Sequence, residues 1–241
     1  MDTIKINKGN ILMVAHAGLA GLECENTCAG FVAAGNRSYY AIETDFRVTK
    51  DGKFVTIHNE STDQLSAGVD LKVSESTLEE LQSLVFTNPR TGESRADLRP
   101  ASLEEYIGIC KRYDKVAIPE LKGVWTEEQI KNFIDVIKSF DYLEKTIFLA
   151  FEWSNIEIIR KIVPGQKIQY LRYDNCDEEA MQRMIKNKVD ADLAHPWVTQ
   201  EIVDRLHTAG LEVNCWTCDD EGSAQRMINF GVDYMTSNFF E

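Results

Sequence analysis

The sequence predicts an α/β fold, a single-domain (β/α)8 TIM barrel with a small insertion after the third strand. Three observations carry this expectation. Short apolar runs alternate with helix-start signals along the chain. Those runs are apolar throughout, as parallel strands covered on both faces require. The length of 241 residues is close to the roughly 250 that such a barrel uses. A doubly wound open sheet shares the first two features and is the competing architecture.

In chain order, strands are expected at 11–16, 40–45, 54–58, 116–122, 147–151, 167–171, 192–195, 212–217 and 233–237. Nine candidates compete for eight places. Capping boxes of the form S/T-x-x-E/Q at Ser76 and Glu79, Ser102 and Glu105, Thr126 and Gln129, and Ser154 and Glu157 each open an amphipathic segment. Further helices are expected at 27–34 closed by Gly35, at 177–187, at 198–209 before Gly210 and at 221–230 before Gly231, making eight. Between Asp45 and His58 an Asp51-Gly52 turn leaves no room for a full helix, so the chain returns extended. From Asn59 to about Pro100 the spacing doubles and includes a polar loop from Thr87 to Asp97. That segment, about 59–100, is expected to be a capping insertion within one domain spanning 1–241.

Hydrophobic residues make up 44% of the chain, and 26 basic against 39 acidic residues give a net charge of −13. No apolar run approaches the roughly 20 residues of a membrane helix, which excludes membrane insertion. The acidic balance without a Lys/Arg cluster gives no footprint for nucleic acid or an anionic membrane surface. The expected partner is a small molecule, and any anion must be held by a local site. The first residues lack the apolar core of a secretory signal, so cytoplasmic residence is expected. Six cysteines are too sparse for a disulfide-stapled domain. Cys215-Trp-Thr-Cys218 has the C-x-x-C form, but it lies on an expected strand, where the thiols are structural; a redox pair sits at a helix N-terminus.

In a parallel barrel the reacting groups stand at the C-terminal ends of strands. Those ends carry His16, Glu43 with Asp45, His58, and Glu120 with Lys122. Residues at i and i+2 of a strand share a face, so each pair converges. Three carboxylates in one mouth repel, and a cation resolves the conflict. All-oxygen donors suit one divalent Mg²⁺ or Ca²⁺ rather than zinc. His16 and His58 bracketing that metal can act as general acid and base on a phosphate or other oxyanion ester, with Lys122 supplying charge for an equatorial oxygen. The bland alternative for Glu43, Asp45, Glu120 and Lys122 is a rim ion-pair network. Trp216 is either core packing or a wall against a substrate carbon chain.

The order His16-Ala-Gly, Glu25-Asn-Thr, Ile42-Glu-Thr-Asp45, Thr49-Lys-Asp-Gly, Ile57-His-Asn59, Glu120-Leu-Lys122, Trp216-Thr and Gly231-Val-Asp233 closely resembles the glycerophosphodiester phosphodiesterase family from about residue 11 to 238. The specificity lies in order and spacing. The resemblance implies a (β/α)8 barrel with one divalent metal that hydrolyses glycerophosphodiesters to glycerol 3-phosphate and an alcohol, a phosphoric diester hydrolase of lipid metabolism. Carried over position by position, it implies His16 and His58 as the acid/base pair, Glu43, Asp45 and Glu120 as metal ligands, and Lys122 as the phosphate-side cation. It also implies that the segment after His58 covers the site.

The chain departs from the family pattern at several positions. Ala17 stands where the family has an arginine that contacts phosphate, Cys24 replaces a proline and Asn59 replaces an aspartate. Ala150-Phe151 stands where a serine commonly ends the fifth strand. Arg47 and Arg172, near expected strand ends, are the candidates to replace the missing charge. The rival reading is a non-catalytic or repurposed metal-binding barrel that has lost phosphodiester turnover, and it rests on Ala17. Retention of both histidines, three carboxylates and Lys122 favours the hydrolase, since a binding protein needs no acid/base pair.

Overall fold

The computed structural model describes residues 2–66 and 68–241. Nine strands form: β1 (Leu12–Ala15), β2 (Ala41–Val48), β3 (Phe54–Thr56), β4 (Val116–Leu121), β5 (Phe148–Ala150), β6 (Ile168–Arg172), β7 (Asp190–Ala194), β8 (Val213–Trp216) and β9 (Tyr234–Ser237). All but β3 are parallel. Pairing of β1 with β9 through Leu12 and Tyr234, and with β2 through Val14 and Ala41, closes the sheet on itself. Closure excludes the open doubly wound sheet. The surplus strand is β3, which runs antiparallel to the far end of β2 with Thr56 opposite Phe46. The Asp51-Gly52 turn makes that return, with Gly52 at φ 72°.

The helices are α1 (Cys28–Gly35), α2 (Leu78–Gln82), α3 (Leu103–Tyr113), α4 (Glu127–Ser139), α5 (Trp153–Ile162), α6 (Glu178–Asn187), α7 (Gln200–Thr208) and α8 (Glu221–Phe230). Only α2 lies within the insertion. Capping boxes form at Ser102 with Glu105 and at Thr126 with Gln129, as expected. Two expected boxes do not. The α2 box is Thr77 with Glu80, because the Ser76 hydroxyl instead donates to the Lys72 carbonyl and closes the preceding turn. Helix α5 begins one residue before Ser154, without a side-chain cap, and Glu157 accepts from Trp153 Nε1 at 2.9 Å. Gly35 ends α1 from inside the helix. A Cβ there would sit 2.6 Å from the Tyr113 ring, so it serves close helix packing rather than a turn. Helix α7 starts at Gln200, capped by Thr199.

Period-two alternation sorts the strand residues. Val14, Ala41, Ile118, Leu149, Leu171 and Tyr234 fill the barrel interior. Ile42, Phe46, Tyr106, Phe133 and Phe148 belong to the larger core between strands and helices. A third cluster packs Leu65, Val73, Leu81, Phe86 and Leu98 of the insertion against Val55 of β3 and Ile57 just past it.

Helix α3 fixes the register of the two strands that carry most of the polar mouth. The Tyr106 hydroxyl donates to the Ile42 carbonyl at 2.6 Å and accepts from the Ile118 N–H at 2.9 Å. Its ring packs edge-on against Phe31 and Phe46. Tyr106→Phe keeps that shape and strands two buried backbone groups. The expected cost is about 2 kcal/mol, a fall of about 4–8 °C in Tm for a chain of this size. An unchanged Tm in scanning calorimetry contradicts this bracing role.

Candidate active site

On β2, Glu43 and Asp45 point inward two residues apart, and in the ladder Asp45 stands opposite Glu120 of β4. The three carboxylates are nearly inaccessible, and each offers an oxygen within 4.8 Å of the others. Lys122, just past β4, places Nζ 2.9 Å from Asp45 Oδ1 and 2.7 Å from Glu120 Oε1. Its ammonium also lies 5.9 Å from the Phe151 ring centroid.

Burial, then repulsion from Asp45, raises the Glu43 carboxyl well above its ordinary value. The same two causes lift Glu120 to about 8. For Asp45, burial opposes ionisation, yet the charges of Lys122 and His58 and hydrogen bonds from Lys122 and Asn26 hold it at about 2. Burial likewise works against the Lys122 ammonium, and Asp45 and Glu120 outweigh it. Ionised together, three carboxylates against one ammonium leave two uncompensated negative charges, which is why two of them hold their protons without a cation. An all-oxygen donor set short of two positive charges fits a divalent Mg²⁺ or Ca²⁺.

The loop after β1 orients two of these carboxylates. The Ala17 N–H donates to Glu43 Oε2 at 2.8 Å, and Asn26 Nδ2 donates to Asp45 Oδ2 at 2.9 Å. Asn26 Oδ1 accepts from the Thr44 hydroxyl and the Asp45 N–H. Both Ala17 (φ 47°) and Asn26 (φ 56°) adopt the left-handed region to aim these donors.

Each histidine is held through Nδ1 by an amide oxygen. His16 Nδ1 lies 2.9 Å from Asn238 Oδ1, and Asn238 Nδ2 donates to Asp219 Oδ2 at 2.6 Å. That second bond fixes the amide's orientation, so Oδ1 accepts and His16 carries its proton on Nδ1. His58 Nδ1 lies 2.9 Å from Asn59 Oδ1. Both rings thereby keep Nε2 free. Glu25, raised by burial and then by Asp45, feels both imidazoles.

His16, Glu43, Asp45, His58, Glu120 and Lys122 share one cavity of about 160 Å³ with Leu149, Phe151, Leu171, Asp192, Trp216 and Thr236. Every site residue read from the sequence is in this set. Trp216 packs edge-on to Phe151 at 6.1 Å and forms a wall. A neighbouring cavity of about 360 Å³ shares Lys122 and is lined by Arg47, Glu60, Lys72 and Val124 among others.

Other expectations change. Neither arginine lines the cavity that holds Lys122 and the three carboxylates: Arg47 donates twice to the His58 carbonyl, at 3.0 and 2.7 Å, and Arg172 is tied to Asp174 and the Tyr170 hydroxyl. Past His58, the insertion contributes Glu60, Lys72, Val73 and Ser74 to the neighbouring cavity, and Arg95 fastens it to Glu23 of the loop after β1. Cys215 and Cys218 are buried free thiols 3.7 Å apart, and burial pushes Cys215 well up, as a structural role requires. Sequence reasoning passed over Asn26, Asp192, Asp219 and Asn238. Asp219 and Asn238 follow β8 and β9, and extending the strand-end search to those strands finds them.

A family model described as the glycerophosphoryl diester phosphodiesterase family matches residues 16–241. The chain is 30% identical to a glycerophosphodiester phosphodiesterase of Caldanaerobacter subterraneus subsp. tengcongensis, covering 92% of this chain and 91% of that one. An Oleispira antarctica phosphodiesterase solved with the product sn-glycerol-3-phosphate superposes with TM-score 0.85 at 22% identity, covering 95% and 93% of the two chains. A glycerophosphodiester phosphodiesterase of Thermotoga maritima gives TM-score 0.75 at 21% identity, covering 95% of each. At these identities the two solved structures establish likeness of fold.

Calorimetric titration with Mg²⁺ or Ca²⁺ is expected to show one site per chain, abolished in the Glu43→Gln, Asp45→Asn double variant. Glu120 holds a proton below about 8 that binding must release. Affinity therefore climbs with pH by up to about tenfold per pH unit for each proton released, from Glu120 below about 8 and from Glu43, whose carboxyl is also raised. By the same sign, the metal-free fold loses stability as pH rises from the ordinary 4.5 through the raised value. Metal at about 100 Kd then adds roughly 2.7 kcal/mol. No binding of either ion, or undiminished binding in the double variant, overturns the assignment.

Proposed function

Because this chain belongs to the glycerophosphoryl diester phosphodiesterase family, we propose that it hydrolyses glycerophosphodiesters to glycerol 3-phosphate and an alcohol through the cavity shared by His16 and His58. One observation carries the reading. Two imidazoles, each fixed through Nδ1, stand in the same small cavity as three carboxylates and one buried ammonium.

The residues divide the work. One of His16 and His58 takes a proton from the attacking water through Nε2, and the other delivers a proton to the departing alcohol oxygen. Glu43, Asp45 and Glu120 hold the divalent cation, Mg²⁺ or Ca²⁺. When bound, that cation neutralises phosphate charge and polarises the P–O bonds. Lys122 supplies a fixed positive charge to a second phosphate oxygen. Its place in the wall of both cavities supports a phosphate straddling it, with the alcohol half toward Arg47, Glu60 and Lys72. Trp216 and Phe151 pack against the substrate's carbon chain.

Water is excluded on one side by Leu149 and Leu171, which strengthens the electrostatics at the phosphate. Asn238 and Asp219 keep the His16 tautomer constant through the cycle. The substrates are the deacylated diesters of phospholipids, which puts the reaction in lipid metabolism. The buried free thiols of Cys24, Cys110, Cys215 and Cys218 suit a reducing compartment and support cytoplasmic residence.

Release of glycerol 3-phosphate from glycerophosphoethanolamine, assayed with each metal, tests the reaction. The wild-type kcat/KM is expected to be bell-shaped in pH. His16→Ala and His58→Ala are each expected to lower it by about 10²–10⁴-fold. Near wild-type turnover in both variants removes the histidines from the mechanism.

A further inference from the structure

One buried group in the catalytic cavity has no part in the chemistry above. Asp192 on β7 turns into the barrel, is 2% exposed, and its Oδ1 has no hydrogen-bond partner among the described residues. It lines the same cavity as His16, Lys122 and the three carboxylates. Burial, then Glu120, raises its carboxyl well above the ordinary value. A buried carboxyl without a partner costs stability, so its retention points to a ligand that completes it.

Trp216 Nε1 is a second such atom, buried and unpartnered among the described residues. Trp216 lines the same cavity. Strands β7 and β8 are paired, with Asp192 opposite Asn214 and Ala194 opposite Trp216. The indole therefore stands one inward-facing position beyond the carboxyl on the adjacent strand.

An unpartnered acceptor and an unpartnered donor on adjacent strands of one cavity wall are the complement of hydroxyl groups, each of which gives one hydrogen and accepts another. A bound ammonium uses the carboxyl and leaves the indole N–H unpaired. A bare hydrocarbon leaves both unpaired. Leu149, Leu171 and Phe151 complete the wall and suit the CH and CH₂ groups that carry hydroxyls. Building on the phosphodiesterase reading, we propose that Asp192, with Trp216 beside it, binds the free hydroxyls of the glycerol half of the substrate and determines specificity for an unacylated glycerol.

Asp192 Oδ1 has no protein hydrogen bond to lose, so Asp192→Ala is expected to keep or raise Tm. Calorimetry on the Mg²⁺-saturated protein then compares glycerol 3-phosphate, propyl phosphate and phosphoethanolamine. Wild type is expected to prefer glycerol 3-phosphate over propyl phosphate by roughly 10- to 100-fold. Asp192→Ala brings that ratio below about threefold, and Asp192→Asn keeps part of it because an amide both gives and accepts. Equal affinity of wild type for the two, a ratio unmoved by Asp192→Ala, or tighter binding of phosphoethanolamine than of glycerol 3-phosphate overturns the proposal. Turnover of glycerophosphoethanolamine is followed in parallel. Preference for the diol without turnover sinks the phosphodiesterase reading alone, and turnover without the preference sinks the hydroxyl site alone.

Discussion

Mutual repulsion among Glu43, Asp45 and Glu120, set against a single Lys122 ammonium, is the constraint around which the barrel mouth is organised. Like charges in a poorly screened cavity drift apart or take up protons unless something holds them. Here each is held by a different part of the chain. The register of β2 on β4 sets Asp45 beside Glu120. The Ala17 N–H secures Glu43, Asn26 secures Asp45, and Tyr106 braces the two strands from the helix layer. Left-handed backbone at Ala17 and Asn26 is a small local strain that aims both donors.

Ala17 is also the position where the family arginine is missing. Its side chain contributes only a methyl group, but its N–H still does site work, and that backbone donor is indifferent to residue type. Neither Arg47 nor Arg172 lines the catalytic cavity, and each makes local hydrogen bonds elsewhere. Lys122 is then the one lysine or arginine lining the catalytic cavity among the described residues. The two histidines are supported unequally. His16 leans on the buried Asn238, itself anchored by a half-buried Asp219, whereas His58 leans on its neighbour Asn59 near solvent, with Arg47 gripping its carbonyl. A ring tied to a carboxylate-anchored amide is the more firmly oriented of the two.

Local signals in the sequence failed where a neighbouring group outbid them. Ser76 and Ser154 both read as N-caps. Ser76 found the Lys72 carbonyl instead, and the α5 start was set by Trp153, whose indole reaches Glu157. Gly35 read as a helix stop and proved to be a contact point for Tyr113. The surplus strand was undecidable from pattern, because Phe54–Thr56 is as apolar and as buried as a barrel strand. Its antiparallel direction follows from the short turn that precedes it.

The sequence by itself determined the alternation of strands and helices, which predicts the barrel, and the histidines, carboxylates, lysine and Trp216 that meet in the cavity. These depend on period-two and period-3.6 patterning and on strand ends, both local properties of the chain. Only the tertiary structure decided which groups act on them. Asn238 and Asp219 reach His16 from more than 200 residues away along the chain, and Asn26 folds back onto Asp45 across a loop. Closure of β1 against both β2 and β9 makes the first contact possible. Asp192 is the sharpest case. In sequence it is the first residue of an apolar run, and only its inward turn in the wall that Trp216 shares, with Oδ1 unpartnered among the described residues, supports the ligand role proposed for it.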